Sequence, residues 1–275
     1  MAASQHLNYH RQGTGTPLVL VHGIGATWQC WKPLIPALAT QHDVIVPDLP
    51  GFGGSVHLGV ERPSLEHFAH SILELLDELG VDEFHVAGNS LGGAVSLELL
   101  RSGRALSYHG VSPAGQTYGP YLDITKAFLR GAYYGSRAIA GIAPTLLRLR
   151  PLRALFLAQM LGRPWHVSRE HAVDLVQGCA VGAGFERTLA HAIPGDRGLD
   201  IPDYDGPAQI LWGTRDLILP VSSAARYVEK WPSMDFIPMK GLGHVPMQDD
   251  PQLIADLILT LTRRTDAAAR REAAP

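Results

Sequence analysis

Cysteine is nearly absent: Cys30 and Cys179 are the only two in 275 residues, and so distant a pair forms no disulfide framework. A reducing, cytoplasmic compartment is the expectation. Charge is sparse as well, with 23 basic and 26 acidic residues, 18% of the chain, and a net of −3. No global field draws nucleic acid, so none is expected as a partner. No 18-residue run is both apolar and uncharged, and Met1 to Gln12 lacks a basic stretch followed by an apolar one. Neither a transmembrane segment nor an export signal is therefore expected. Dinucleotide fingerprints fail too, because Gly51 and Gly53 are followed by Val56, and Gly23 and Gly25 by Trp28, where a third glycine is needed. His67 and His70 stand three apart on a predicted helix with no further ligand in sight. Neither a metal nor a cofactor is expected.

What is present is enough apolar material, 46% of the chain, for a large core. The runs Pro17 to Val21, Asp43 to Pro47, Phe84 to Ala87 and Leu106 to Val111 read as buried strands of a parallel sheet, with His6 to His10 a weaker one. Helices are predicted over Trp31 to Thr40 and from a Ser64 cap to about Leu79. From Gly115 to about Asp205 no strand-like run occurs, only helical ones at Pro120 to Tyr134, Pro144 to Leu161 and Ser168 to Val181. Strands resume at Ala208 to Trp212 and Asp235 to Met239, and Pro251 to Leu261 reads as the closing helix. The expected organisation is an α/β core over 1–114 and 206–262, a helical lid inserted over 115–205, and a loose tail over 263–275.

Function concentrates at Gly88-Asn89-Ser90-Leu91-Gly92, between a predicted strand and a predicted helix. So sharp a turn lifts the Ser90 hydroxyl above the sheet and tolerates only small neighbours, which Gly88 and Gly92 supply. The amide of Leu91 then faces whatever the oxygen attacks, and after the first apolar strand Gly23 lets the amide of Ile24 approach as a second oxyanion donor. Serine is a poor nucleophile unless a base removes its proton and a carboxylate orients that base. His244 and Asp216 each follow a later strand, on the sheet edge where open α/β folds bind ligands. Asp203, Asp205, Asp249 and Asp250 compete with Asp216, and His22 is read as a structural histidine.

These residues carry a resemblance. His22-Gly23-Ile24-Gly25, Asp48 to Ser55, Gly88 to Gly93, Gly213 to Asp216 and Gly243-His244 look like the motifs of the α/β-hydrolase superfamily, in its serine-nucleophile, lid-containing branch. The resemblance spans roughly residues 5–114 and 206–262. It implies a mostly parallel, roughly eight-stranded sheet flanked by helices, with Ser, Asp and His in that family's chain order. It also implies hydrolysis of an ester, thioester or lactone of a small molecule with an apolar part. Two other outcomes stay open: a carbon-carbon hydrolase of ring-cleavage products, of which Asn89 is reminiscent, and a triad-bearing receptor with little turnover.

One asymmetry lies within the expected lid. Between Lys126 and Arg169 stand Lys126, Arg130, Arg137, Arg148, Arg150, Arg153, Arg163 and Arg169, with no Asp or Glu. Such a segment can be a solvated face, attract an acidic substrate, or rest on an anionic membrane surface.

Overall fold

A computed structural model describes residues 7–57, 59–193 and 198–272. Seven strands form one sheet: β1 (Tyr9–Gln12), β2 (Thr16–Val21), β3 (His42–Pro47), β4 (Phe84–Asn89), β5 (Ala105–Val111), β6 (Ala208–Gly213) and β7 (Asp235–Met239). Their order is β1-β3-β2-β4-β5-β6-β7, and only β1 runs antiparallel. The described residues thus supply seven strands where the resemblance implied about eight. The apolar runs of β2, β3 and β4 are buried because helices cover both faces, as a parallel sheet requires. β4 pairs with β2 on one side and β5 on the other, so the turn after Asn89 emerges in the middle of the carboxyl edge.

The helices are α1 (Ile35–Leu38), α2 (Leu65–Glu78), α3 (Leu91–Leu100), α4 (Pro120–Ile139), α5 (Ala143–Leu146), α6 (Arg150–Leu157), α7 (Arg169–Ala180), α8 (Phe185–His191), α9 (Ala225–Lys230), α10 (Pro246–Asp249) and α11 (Pro251–Glu272). Between β5 and β6 the described residues form helices and loops alone, α4 to α8. Two predicted helices are broken. Trp31 to Thr40 becomes a 3₁₀ turn over Trp28–Trp31 and the single turn α1, because Pro33 and Pro36 remove amide donors. Pro144 to Leu161 divides into α5 and α6, since Leu149 is extended and Pro151 starts a new first turn.

The expected loose tail is also corrected: α11 continues to residue 272. Alanine and arginine favour helix, and the half-buried Asp266 ties this segment to the buried His85. His85 Nε2 lies 3.0 Å from Asp266 Oδ1 and His85 Nδ1 2.7 Å from the Ser107 hydroxyl, which is 2.9 Å from His109 Nε2; Gln209 then donates to His109 Nδ1 at 2.7 Å. A carboxylate only accepts, so His85 carries its proton on Nε2 and accepts a hydrogen bond from the Ser107 hydroxyl at Nδ1. His109 must then donate from Nε2 and accept from Gln209. Every member is satisfied with both histidines neutral, and burial lowers the affinity of both for protons.

Candidate active site

The site begins with a backbone demand. Ser90 has φ 56° and ψ −119°, a conformation costly for any residue with a side chain. Packing holds it there: its amide donates to Val111 O at 3.0 Å and its carbonyl accepts from Gly93 and Ala114 at 3.0 and 2.9 Å. A Cβ at Gly88 would overlap the carbonyl of Gly92, and one at Gly92 would overlap the carbonyls of Val21 and His22. Gly23 abuts the turn, because a Cβ there would stand 3.1 Å from that of Ser90. Leu91 opens α3, so its amide has no partner within the helix.

Asp216 follows β6, with its side chain out of contact with water. One carboxylate oxygen accepts the amides of Ile218 and Leu219 at 2.9 and 2.8 Å, and the other lies 2.7 Å from His244 Nδ1. The acceptor-only carboxylate assigns the His244 proton to Nδ1 and leaves Nε2 a free lone pair. His244, buried itself, lines the same cavity as Ser90 and Ile24.

Three of the four rival carboxylates are engaged elsewhere and the fourth is exposed. Asp203 pairs with Lys230, Asp250 pairs with Arg163, and Asp205 is exposed. Asp249 accepts the amides of Gly162, Arg163 and Gly243 at 2.9, 2.7 and 2.7 Å, tying the α6–α7 segment to the histidine loop. His22 is structural: its Nε2 accepts the Leu49 amide at 2.8 Å and its Nδ1 donates to Gly23 O at 2.7 Å.

Two contacts around His244 had no signal in the sequence. Asn89 donates to the carbonyls of Val111 and His244, at 3.0 and 2.9 Å, and the His244 amide donates to Met160 O at 2.8 Å. The residues concerned lie far apart along the chain, and no local pattern marks such pairs.

The cavity is mostly apolar, with Leu129, Phe156, Leu157, Met160, Val176 and Phe185 among its walls. Cys30 and Cys179 also reach it, but burial pushes the Cys30 thiol up and Cys179 to about 11. Both therefore stay protonated and weakly nucleophilic at neutral pH. Among the described residues one group of three, His42, His85 and Asp266, has ligand atoms within 4.8 Å of one another as a metal would require. Those atoms already serve hydrogen bonds to Thr16, Thr262 and Ser107 and between His85 and Asp266, and none of the three lines the cavity.

The chain is similar to known proteins. The dihydrolipoyllysine-residue acetyltransferase component of an acetoin cleaving system from Pseudomonas putida is 33% identical over 256 residues, 91% of this chain, which spans 64% of that protein's length. A 2-hydroxy-6-oxo-2,4-heptadienoate hydrolase from Pseudomonas putida is 27% identical over 82% of this chain and 81% of its own. The naproxen esterase structure from Bacillus subtilis superposes with a TM-score of 0.71 at 20% identity, covering 93% of this chain and 87% of that one. The model of the Alpha/beta hydrolase family matches residues 18–257, and the chain belongs to that family.

Proposed function

We propose that the chain is a serine hydrolase that cleaves a carboxylic ester, thioester or lactone through an acyl-enzyme on Ser90. The observation that carries this reading is the buried His244, held by Asp216 at 2.7 Å in the cavity that contains Ser90. In this reading His244 Nε2 takes the Ser90 proton as Oγ attacks the substrate carbonyl. The oxyanion that forms meets the amides of Ile24 and Leu91, and the charged imidazolium is stabilised by Asp216. Collapse of the tetrahedral intermediate expels the alcohol or thiol with the proton from His244. Water activated by the same histidine then frees the acid and restores Ser90. The apolar walls favour a neutral, hydrophobic group beside the reacting carbonyl.

Helices α4 to α8 act as a lid over this cavity in the same reading, since Leu129, Phe156, Val176 and Phe185 come from them. Their outer side exposes Ile142, Leu149 and Leu155 beside Arg148 and Arg150, a composition suited to an anionic lipid surface. A second reading, carbon-carbon bond hydrolysis, draws support from the Pseudomonas putida relative named for a heptadienoate.

A fluorophosphonate probe tests the first reading. Wild type takes one label, Ser90→Ala takes none, and short p-nitrophenyl esters turn over repeatedly. Labelling that survives in Ser90→Ala refutes the nucleophile. A single slow turnover favours a receptor, and preference for a vinylogous diketone over every ester favours the second reading.

A further inference from the structure

A smaller cavity adjoins the first, and the two share Ile24, Ser90, Leu129 and Ile218. The serine therefore stands where two arms of one substrate would diverge. The larger cavity has no Lys, Arg, Asp or Glu among its described walls, whereas the smaller has one charged residue, Lys126.

The other cations of the segment are disposed differently. Arg130 pairs with Glu186, Arg137 donates to Tyr133 and Arg163 pairs with Asp250. Arg153 and Arg169 donate to the carbonyls of Leu147 and Pro144, and Arg148 and Arg150 are exposed. Lys126, half-buried, has no ion-pair partner among the described residues. Its place in α4 is held by the neighbouring Thr125, whose buried hydroxyl donates to Ile218 O at 2.7 Å, two residues beyond Asp216. The helix thus holds residue 126 on the cavity wall, beside the loop that orients His244.

We propose that Lys126 makes the smaller cavity an anion subsite, so that the substrate carries an apolar arm on one side of the scissile carbonyl and a carboxylate-ended arm on the other. An anion entering a cavity walled by Leu122, Leu189 and Ile193 loses hydration, and a lysine without a partner restores part of that loss through a charge-assisted hydrogen bond. The bland alternative is an ammonium that leans into water over its own aliphatic stem. The proposal rests on Ser90 being the nucleophile, and its test separates the two claims.

Phenyl hydrogen glutarate, which bears the carboxylate on the acyl side, and 4-carboxybutyl hexanoate, which bears it on the alcohol side, are compared with phenyl hexanoate and pentyl hexanoate. At least one charged ester is favoured over its neutral counterpart in kcat/KM. Lys126→Met lowers that ratio about tenfold or more, Lys126→Arg keeps it, Lys126→Glu reverses it, and salt raised from about 10 to 500 mM erodes it. A ratio indifferent to Lys126→Met overturns the subsite and leaves the nucleophile untouched. A readout free of turnover is calorimetric binding of the charged esters to Ser90→Ala. Binding that weakens about tenfold in Ser90→Ala/Lys126→Met supports the subsite even if Ser90 proves not to be the nucleophile. Equal binding by both variants rejects it.

Discussion

The side-chain amide of Asn89 donates a hydrogen bond to the carbonyl of His244, 155 positions away, at 2.9 Å. Its second bond, to Val111 O at 3.0 Å, completes a brace between the serine turn, β5 and the histidine loop. Removing the brace leaves the His244 carbonyl without its donor, at a cost of about 1–3 kcal/mol, while Val111 O keeps the Ser90 amide. Asn89→Ala is expected to lower kcat by about 10- to 100-fold with a smaller change in KM, since the histidine and not the cavity wall is released. Steady-state kinetics with melting curves test this; a KM effect larger than the kcat effect contradicts it.

The strain at Ser90 should be measurable as stability. At φ 56° and ψ −119° a Cβ costs about 1–3 kcal/mol that glycine avoids. Ser90→Gly should therefore melt about 2–4 °C above Ser90→Ala, with both inactive. Calorimetry decides, and an alanine variant that melts higher would mean that the turn holds no strain.

Asp216→Asn should cost about 10³–10⁴ in kcat, as the corresponding change does in the serine-protease template, because the amide can hold the wrong imidazole tautomer. No rival replaces it: Asp249 is engaged by three amides and Asp250 by Arg163. A variant within about tenfold of wild type would show that the carboxylate is dispensable.

Stability should fall on the acid side of neutrality. Burial lowers the proton affinity of His22, His85 and His109, so the unfolded chain binds protons that the folded one refuses. A depressed histidine contributes stability above its unfolded value, about 6.5, and loses it as pH falls towards the folded value. Each such histidine contributes a slope of up to about 1.4 kcal/mol per pH unit below that point. His109→Gln should flatten the fall in denaturant midpoint between about pH 6.5 and 5, and an unchanged slope would refute the assignment.

The membrane contact proposed for the outer side of α5 and α6 is tested directly. Co-sedimentation with vesicles containing phosphatidylserine should exceed that with neutral vesicles and disappear in Arg148→Glu/Arg150→Glu, the two cations exposed beside Leu149 and Leu155. Arg153 is buried against Leu147 and is not part of that face. Absence of binding at low salt would leave these arginines a solvated surface.

Features that depend on a few neighbouring residues were legible in the sequence. The Gly88-x-Ser90-x-Gly92 turn imposes a local steric demand, the apolar runs of β2 to β5 match a sheet covered on both faces, and Ser64 marks the start of α2. The prolines that break two predicted helices stand in the sequence as well, each removing an amide donor from the run. Tertiary structure decided what no local pattern encodes. It brought Asp216 to His244 across 28 residues, set Asn89 against His244 and Asp249 against Gly162, and turned an expected tail into a helix anchored through Asp266. Of eight cations in one acid-free segment, it placed Lys126 alone on a cavity wall that Ser90 shares. Periodicity dictates which face of a helix is buried, whereas the partner that face meets is set by how helices dock on the sheet, a property of the whole chain's packing.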